Sequence, residues 1–280
     1  MGNKVLITGG NGQLGRALKQ LFEEDYEVIS YGKDELDVSN YNEVKKAIRL
    51  NLPNIIIHTA AYTDVEGAED LNKKELAYLV NSFGTRNVAI EAEYANAKLI
   101  YISTDYVFDG EHIKKINEFT STNPLNSYGL SKLEGENFVK NFHSKFFIVR
   151  TSWVFGHGGK NFVNTMLNLS KSKDELRIVN DQIGSPTYAI DLANSIKQFS
   201  SSNLYGTYHV TNSGECSWYE FAKEIFRIKN IEINIIPVTS QEFPTKARRP
   251  KYSVLENLSL KLNNFEAMPH WKNALLRYLE

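Results

Sequence analysis

Tyr128 and Lys132 stand four positions apart in the segment Tyr128-Gly129-Leu130-Ser131-Lys132. On a helix, side chains at that spacing share a face. An ammonium beside a phenol favours the phenolate, so the pairing predicts a tyrosine with a lowered pKa. Such a tyrosine can pass its proton to a carbonyl oxygen as hydride reaches the carbon, and the lysine can also hold a ribose. The spacing alone arises by chance in many helices. Upstream, however, an apolar run ends in Ser103-Thr104-Asp105-Tyr106. A hydroxyl at that strand end, Thr104, can hydrogen-bond the same substrate oxygen.

A second group handles phosphate. Gly9-Gly10-Asn11-Gly12-Gln13-Leu14-Gly15 follows the first apolar run and opens the first amphipathic one. At a strand–helix junction, Gly9 permits a tight turn, Gly12 lets backbone approach a pyrophosphate, and Gly15 allows close helix–sheet packing. The helix N-terminus then offers free N–H groups to an anion. Gly9, Asn11, Gly12, Gln13 and Leu14 are therefore the candidate cofactor-binding residues of this loop. Asp37 and Val38 lie just past the second strand, where the adenine of a dinucleotide would rest; by itself Asp37 reads as an ordinary loop aspartate. An acidic residue at that strand end suits the ribose of NADH. Here Lys33 precedes Asp34, and the lysine tips the preference towards NADPH.

The elements that must position these residues alternate. Residues 4–8, 27–31, 54–59, 98–103 and 146–151 read as strands, the third carrying three consecutive isoleucines, as suits a strand covered on both faces. Residues 13–23, 41–50, 73–94 and 126–141 read as helices, the second capped by Ser39 or Asn40. Strand–helix alternation predicts an α/β fold with a Rossmann-type, doubly wound parallel sheet. After Trp153 the rhythm becomes irregular. Residues 161–170, 188–199 and 218–228 look helical, and 207–210 and 233–237 look like short strands. This divides the chain into a dinucleotide-binding core, residues 1–152, and mainly a smaller substrate lobe, residues 153–280, with some segments returning to the core.

Composition narrows the class. The 280 residues are 42% hydrophobic and carry a formal net charge of −1. This speaks against a protein that grips nucleic acid or anionic membrane. Cys216 is the single cysteine, so no intrachain disulfide or cysteine-based metal site forms, consistent with a reducing, cytoplasmic setting. No apolar stretch is long enough to span a bilayer.

Several further segments carry a resemblance: Ala60-Ala61-Tyr62-Thr63, Ser103 to Phe108, Tyr128 with Lys132, Arg150-Thr151-Ser152-Trp153, Asp181 to Thr187 and Arg248-Arg249-Pro250. With the glycine loop they make the chain similar, over nearly its whole length, to the extended short-chain dehydrogenase/reductase family, and within it to the dTDP-4-dehydrorhamnose reductases. The resemblance implies NAD(P)H-dependent reduction at C4 of dTDP-4-dehydro-β-L-rhamnose, giving dTDP-L-rhamnose. It implies Tyr128 as proton donor, Lys132 as its partner, and Thr104 orienting the C4 oxygen. Ala60, Ala61 and Tyr62 would line the cofactor, Asp105 would contact the sugar and Trp153 would pack on its ring. Residues 182–187 and the Arg248-Arg249 pair would shape the nucleotide end, Arg249 suiting a diphosphate. Asn81 resembles a structural asparagine of these folds.

Two departures stand out. Asp64-Val65-Glu66 occupies a region where relatives often carry a lysine. No residue matches a metal-binding glutamate that some relatives use at a dimer contact, so no metal is predicted. The expected partner is a small nucleotide sugar, with the protein a monomer or homodimer. Rival readings share the fold. A dehydratase would need a glutamate after Asp105, where Tyr106 stands. Another 4-keto-sugar reductase or epimerase remains open, as does a non-catalytic binding protein resembling the regulatory subunit of methionine adenosyltransferase.

Overall fold

Strand and helix alternate strictly through the first half of the chain in a computed structural model that describes residues 3–111 and 114–280. β1 (Lys4–Thr8) leads to α1 (Gln13–Phe22), β2 (Glu27–Tyr31) to α2 (Tyr41–Asn51), and β3 (Ile55–His58) to α3 (Leu71–Tyr78) and α4 (Thr85–Tyr94). β4 (Lys98–Thr104), α5 (Ser127–Phe142) and β5 (Phe146–Thr151) follow. Ile55, Ile56 and Ile57 are all buried, as an unbroken apolar strand covered on both faces should be. α2 is capped by Asn40, whose side chain accepts from the backbone of Asn42 and Glu43. Ser39 is not the cap; its N–H and hydroxyl are bound instead by Asp37.

The single helix expected over residues 73–94 is interrupted. Leu79–Gly84 form a π-helical turn between α3 and α4. Widened turns of this kind recur at functional sites. This one holds a fully buried Asn81, whose carboxamide takes up backbone groups of a neighbouring loop. Periodicity cannot reveal it, because the apolar pattern on either side remains helical.

The second half is built from shorter pieces: β6 (Val154–Phe155), α6 (Phe162–Leu169), β7 (Glu175–Val179), β8 (Ile183–Gly184), β9 (Thr187–Tyr188) and α7 (Ala189–Ser201). Then come β10 (Gly206–His209), β11 (Cys216–Ser217), α8 (Trp218–Ile228), β12 (Asn234–Val238), α9 (Leu258–Leu262) and α10 (Trp271–Leu279). Six strands form the main sheet in the order β10-β5-β4-β3-β1-β2, every neighbouring pair parallel. The order reverses beside β1, and in open α/β sheets ligands bind at the carboxyl ends of the strands at such a switch.

Among the described residues the three largest apolar clusters lie on the two faces of the sheet and within residues 153–280; a small fourth joins Val107, Phe108, Ile116 and Leu255. Of the three, one packs α1 and α7 on one face of the sheet, through Leu18, Phe22, Ile196 and Phe199. A second packs α2, α4 and α5 on the other, through Val44, Ile48, Val88 and Val139. A third lies within residues 153–280, where Phe155, Phe221, Ile225, Trp271 and Leu275 meet. Thus α7 and β10 return to the sheet while α6, α8 and α10 share a core of their own.

Candidate active site

Register brings the strand-end residues together. β4 and β5 pair Ser103 with Arg150 and Thr104 with Thr151. Beyond Thr104 the chain enters a single 3-10 turn, capped by the Thr104 hydroxyl, which accepts the Tyr106 N–H at 3.2 Å. α5 begins opposite. Its cap, Asn126, accepts from Gly129 at 2.8 Å and donates to the Arg248 carbonyl at 2.8 Å. A side chain at Gly129 would run into the Tyr106 carbonyl, so glycine there lets the first turn of α5 lie against the end of β4. Tyr128, in that turn, lies close enough to the Thr104 hydroxyl for that group to act on its phenol. The Tyr106 ring meets it edge-on, with centroids 5.6 Å apart.

The electrostatics differ from the simple pairing expected. Burial pushes the Tyr128 phenol above its ordinary value, with the Thr104 hydroxyl opposing. Lys132 does not lower it. Its ammonium donates to the Ile102 carbonyl at 2.6 Å and sits 4.2 Å above the Tyr101 ring. Burial lowers Lys132 to about 7, against the pull of Glu136. Desolvation therefore outweighs the tyrosine–lysine attraction that spacing suggests. Asp105 is raised to about 6 by burial, with hydrogen bonds from Ser253 and Thr104 opposing. Its Oδ1 accepts from Thr104 at 3.1 Å, and its Oδ2 is buried with no partner.

Beneath these groups lies a closed ionic network. Glu136, fully buried, accepts from Ser103 at 2.7 Å and from Arg150 through Nε at 2.8 Å and Nη2 at 2.7 Å. Burial alone would raise this carboxyl, but the Arg150 hydrogen bonds and charge hold it below its ordinary value. The network ties α5 to β4 and β5 one turn beyond Lys132.

The glycine loop occupies the neighbouring strand end. Gly9 has φ +71, and a Cβ there would lie 2.6 Å from the Ala60 nitrogen. At Gly15 a Cβ would lie 2.7 Å from the Gly10 Cα. These two glycines are demanded by the protein's own packing. Gly12 is different, since a Cβ there would meet only the Gly9 carbonyl, at 3.3 Å. Gly12 is also the N-cap of α1, with no side-chain cap, and Gln13 and Leu14 open the helix. Their N–H groups lack intrahelical partners, which is the donor set that a diphosphate needs. Asn11 presents its carbonyl to Arg16 Nε at 3.0 Å.

Asp37 is exposed and its Oδ1 holds the Ser39 turn; Val38 is buried, with its carbonyl taken by Asn87. Ala60 donates to Thr8 at 3.3 Å, and Ala61 links it to Tyr62. Asn81 clamps that loop: Tyr62 N–H donates to it at 2.8 Å and its amide returns to the Tyr62 carbonyl at 3.0 Å. The same amide donates to Ser131, which donates to the Tyr128 carbonyl at 2.8 Å. One asparagine thus joins the loop after β3 to the helix that carries Tyr128.

The remaining candidates form a wall from distant segments. Arg249 Nη2 meets Glu66 Oε1 at 2.8 Å, while its Nε is buried without a partner. Glu66 also accepts the Lys246 N–H at 2.9 Å. Arg249 lowers, and Asp105 raises, the buried Tyr106 phenol, which burial pushes to about 12. Trp153 follows β5 two residues past Thr151, half-buried and stacked on Trp218. Gln182 donates to Ser240 at 2.9 Å, and the Ser185 carbonyl takes the Ser152 hydroxyl at 2.7 Å.

The structure therefore gathers Thr104, Asp105, Tyr128 and Lys132 at one strand end, with the Arg249 charge near enough to act on Tyr106. Sequence reasoning missed Glu66, Ser131 and Glu136. Glu136 had a signal, standing four residues beyond Lys132 on the same helix face. Glu66 had none, its partner being 183 residues away. Among the described residues no helix is long and apolar enough to cross a membrane, and no His/Cys/Asp/Glu cluster could hold a metal.

Residues 3–280 match the family model described as RmlD substrate binding domain. The chain is 43% identical over 280 residues to the spore coat polysaccharide biosynthesis protein SpsK of Bacillus subtilis (strain 168), covering 99% of this chain and 97% of that protein. It is 40% identical over 288 residues to the dTDP-4-dehydrorhamnose reductase of Aggregatibacter actinomycetemcomitans, covering 97% of each. Its fold superimposes with TM-score 0.96 on the crystal structure of dTDP-4-dehydrorhamnose reductase from Bacillus anthracis str. Ames in complex with NADP, at 48% identity and 99% coverage of both chains.

Proposed function

The chain belongs to the family of the RmlD substrate binding domain, and on that premise we propose that it reduces the C4 keto group of dTDP-4-dehydro-β-L-rhamnose to the hydroxyl of dTDP-L-rhamnose. A reduced nicotinamide dinucleotide supplies the hydride when bound. NADPH is favoured over NADH by Lys33 at the end of β2 and by the relative found with NADP.

The residues present fit that cofactor. Gly12 keeps a side chain away from the uncapped N-terminus of α1, where a Cβ would crowd only the Gly9 carbonyl, and Gln13 and Leu14 offer their N–H groups to the diphosphate. Ala60, Ala61 and Tyr62, clamped by Asn81, line the same crevice. Lys132 spends one ammonium proton on Ile102 and retains two donors for the ribose hydroxyls.

The observation that carries the proposal is the placing of Tyr128, in the first turn of α5, against Thr104 at the carboxyl end of β4, with Lys132 one helical turn beyond. Tyr128 donates its proton to the C4 oxygen as that oxygen becomes an alkoxide, so the ketone gains one hydride and one proton. A phenol raised by burial stays protonated until the alkoxide, a far stronger base, forms beside it. Thr104 turns its single hydroxyl proton, held by Asp105 in the free protein, to the C4 oxygen. Asp105 offers its unpartnered Oδ2 to a sugar hydroxyl, Trp153 covers the ring, and the free Nε of Arg249 faces the diphosphate. The division into a cofactor core, residues 1–152, and a substrate lobe, mainly residues 153–280, is part of this reading.

The test follows reduced-nicotinamide absorbance with the keto sugar generated in place from its dTDP precursor. Loss of absorbance with dTDP-L-rhamnose as product is the expected outcome, faster with NADPH than with NADH. Intact absorbance with both cofactors, in protein that binds NADPH, would overturn the proposal.

A further inference from the structure

Trp153 holds a backbone conformation that a bulky side chain rarely adopts. Its φ is +47, in the left-handed region. Residues kept there need surroundings that over-determine them, and the surroundings of Trp153 can be named. Its indole lies flat on that of Trp218, with ring centroids 3.4 Å apart and planes 7° from parallel. Behind Trp218 stands the Phe162 ring, 4.6 Å away by centroid. On another side Gly184 makes room, since a Cβ there would lie 2.5 Å from the Trp153 ring. The backbone on either side is pinned as well. The Trp153 carbonyl accepts from Thr187 at 3.2 Å, and Ser152 donates to the Ser185 carbonyl.

Trp218 is itself rigidly placed. It is the first residue of α8, immediately after a complete capping box in which Ser217 accepts from Glu220 N–H at 3.0 Å and Glu220 accepts from Ser217 N–H at 2.8 Å. Ser217 also donates to Asn180 and pairs with Ile183 in the two-stranded ladder that contains Gly184. The start of α8 thus delivers one firmly held aromatic face to the residue two positions beyond the β5 end.

We propose that Trp218 is a positioning residue: by stacking on Trp153 it holds that indole in its left-handed conformation at the rim of the cleft, and so sets affinity for the sugar nucleotide without taking part in proton or hydride transfer. The inference rests on the reading of Trp153 as the cover of the sugar ring. Phe162, Trp218 and Trp153 form a column whose last member touches the ligand. Loss of the middle ring frees the last one to leave its strained conformation.

Two measurements on the full chain test this. Steady-state kinetics are run on wild type, Trp153→Ala, Trp218→Ala and Trp218→Phe, with dTDP-L-rhamnose binding measured by calorimetry. Near- and far-ultraviolet circular dichroism reads the exciton couplet that two parallel indoles produce. Trp218→Ala should raise KM for the sugar nucleotide and weaken dTDP-L-rhamnose binding about tenfold, with kcat changed less than about threefold and NADPH affinity unchanged. The couplet should vanish. Trp218→Phe, which keeps an aromatic face and the helix start, should recover most of the affinity while still lacking the couplet. A Trp218→Ala protein with wild-type KM and sugar-nucleotide affinity, beside a Trp153→Ala protein with both impaired, would overturn the inference and leave the proposed function standing. Wild-type protein that neither reduces the keto sugar nor binds dTDP-L-rhamnose would overturn both. A kcat loss in Trp218→Phe as large as that of a proton-donor variant would also overturn it, because the ring would then be serving the chemistry.

Discussion

The bed of the site and its wall are built in opposite ways. The bed comprises Thr104, Tyr128 and Lys132 above Ser103, Glu136 and Arg150. It comes from two adjacent strands and one helix, and all of it except Tyr128's rim lies deep in the molecule. Its contacts span 14 to 33 residues, from Glu136–Arg150 to Ser103–Glu136, against 183 for Glu66–Arg249. The wall comprises Trp153, Trp218, Glu66 and Arg249, from four separate stretches, none fully buried. In the bed, geometry follows from strand register and helical period, and a charge left unpaired has nowhere to find water. In the wall, geometry depends on how distant stretches of the chain pack together, and a lost contact can be replaced by solvent. Chemistry and substrate choice therefore rest on differently constrained parts.

That contrast can be broken or sharpened by experiment. The largest effect is expected from Arg150→Met, which strips the buried Glu136 carboxylate of its two guanidinium bonds and leaves it only Ser103 and, at 3.5 Å, the half-exposed Lys140. Urea unfolding should show a loss of about 3–5 kcal/mol. A loss below about 1 kcal/mol would mean that the bed is no more rigid than the wall. Tyr128→Phe comes next: kcat should fall by about two orders of magnitude, because the general acid is gone. NADPH affinity should stay close to wild type, and near-normal turnover would remove Tyr128 from the mechanism.

The third effect is on pH dependence. Asp105 is raised from 3.8 to about 6 in the folded protein, so between those values the folded state binds more protons than the unfolded one. Its contribution is present at low pH and is lost as pH rises through about 6. Across that window wild type should lose on the order of 2–3 kcal/mol relative to Asp105→Asn. Parallel stability curves for the two proteins would show that the carboxyl is not desolvated as its burial implies. The smallest effect belongs to the wall. Glu66→Gln weakens a partly exposed pair with Arg249, and KM for the sugar nucleotide should rise by less than about fivefold with kcat intact. A comparable fall in kcat would join wall and bed into one unit.

Much of the bed could be read before any coordinates. The glycine spacing, the apolar strand ending in Thr104 and the Tyr128–Lys132 period all depend on local chain geometry, which side-chain type and order control directly. The three isoleucines of β3 announce a strand covered on both faces for the same reason. The π turn at Leu79–Gly84 escaped, because an extra residue in one helical turn hardly alters a pattern of apolar positions. The direction of the Tyr128 shift escaped too. Spacing sets which charges are neighbours, but desolvation depends on everything packed around them, and here burial prevails over the lysine.

The sequence by itself did not show the strand Glu175–Val179 or the helix Trp271–Leu279, but it determined the class of fold, the order of strands and helices through Thr151, and the spacing of a phenol and an ammonium one turn apart. Those are short-range matters of propensity, period and hydrogen bonding along the chain. Only the tertiary structure decided that Asn81 would join the loop after β3 to the start of α5, that Glu66 would meet Arg249, and that Trp218 would lie under Trp153. Such contacts link residues far apart in the chain, with no periodicity between them. They exist because the chain buries apolar surface in separate clusters, and the polar and aromatic groups between those clusters must then find partners.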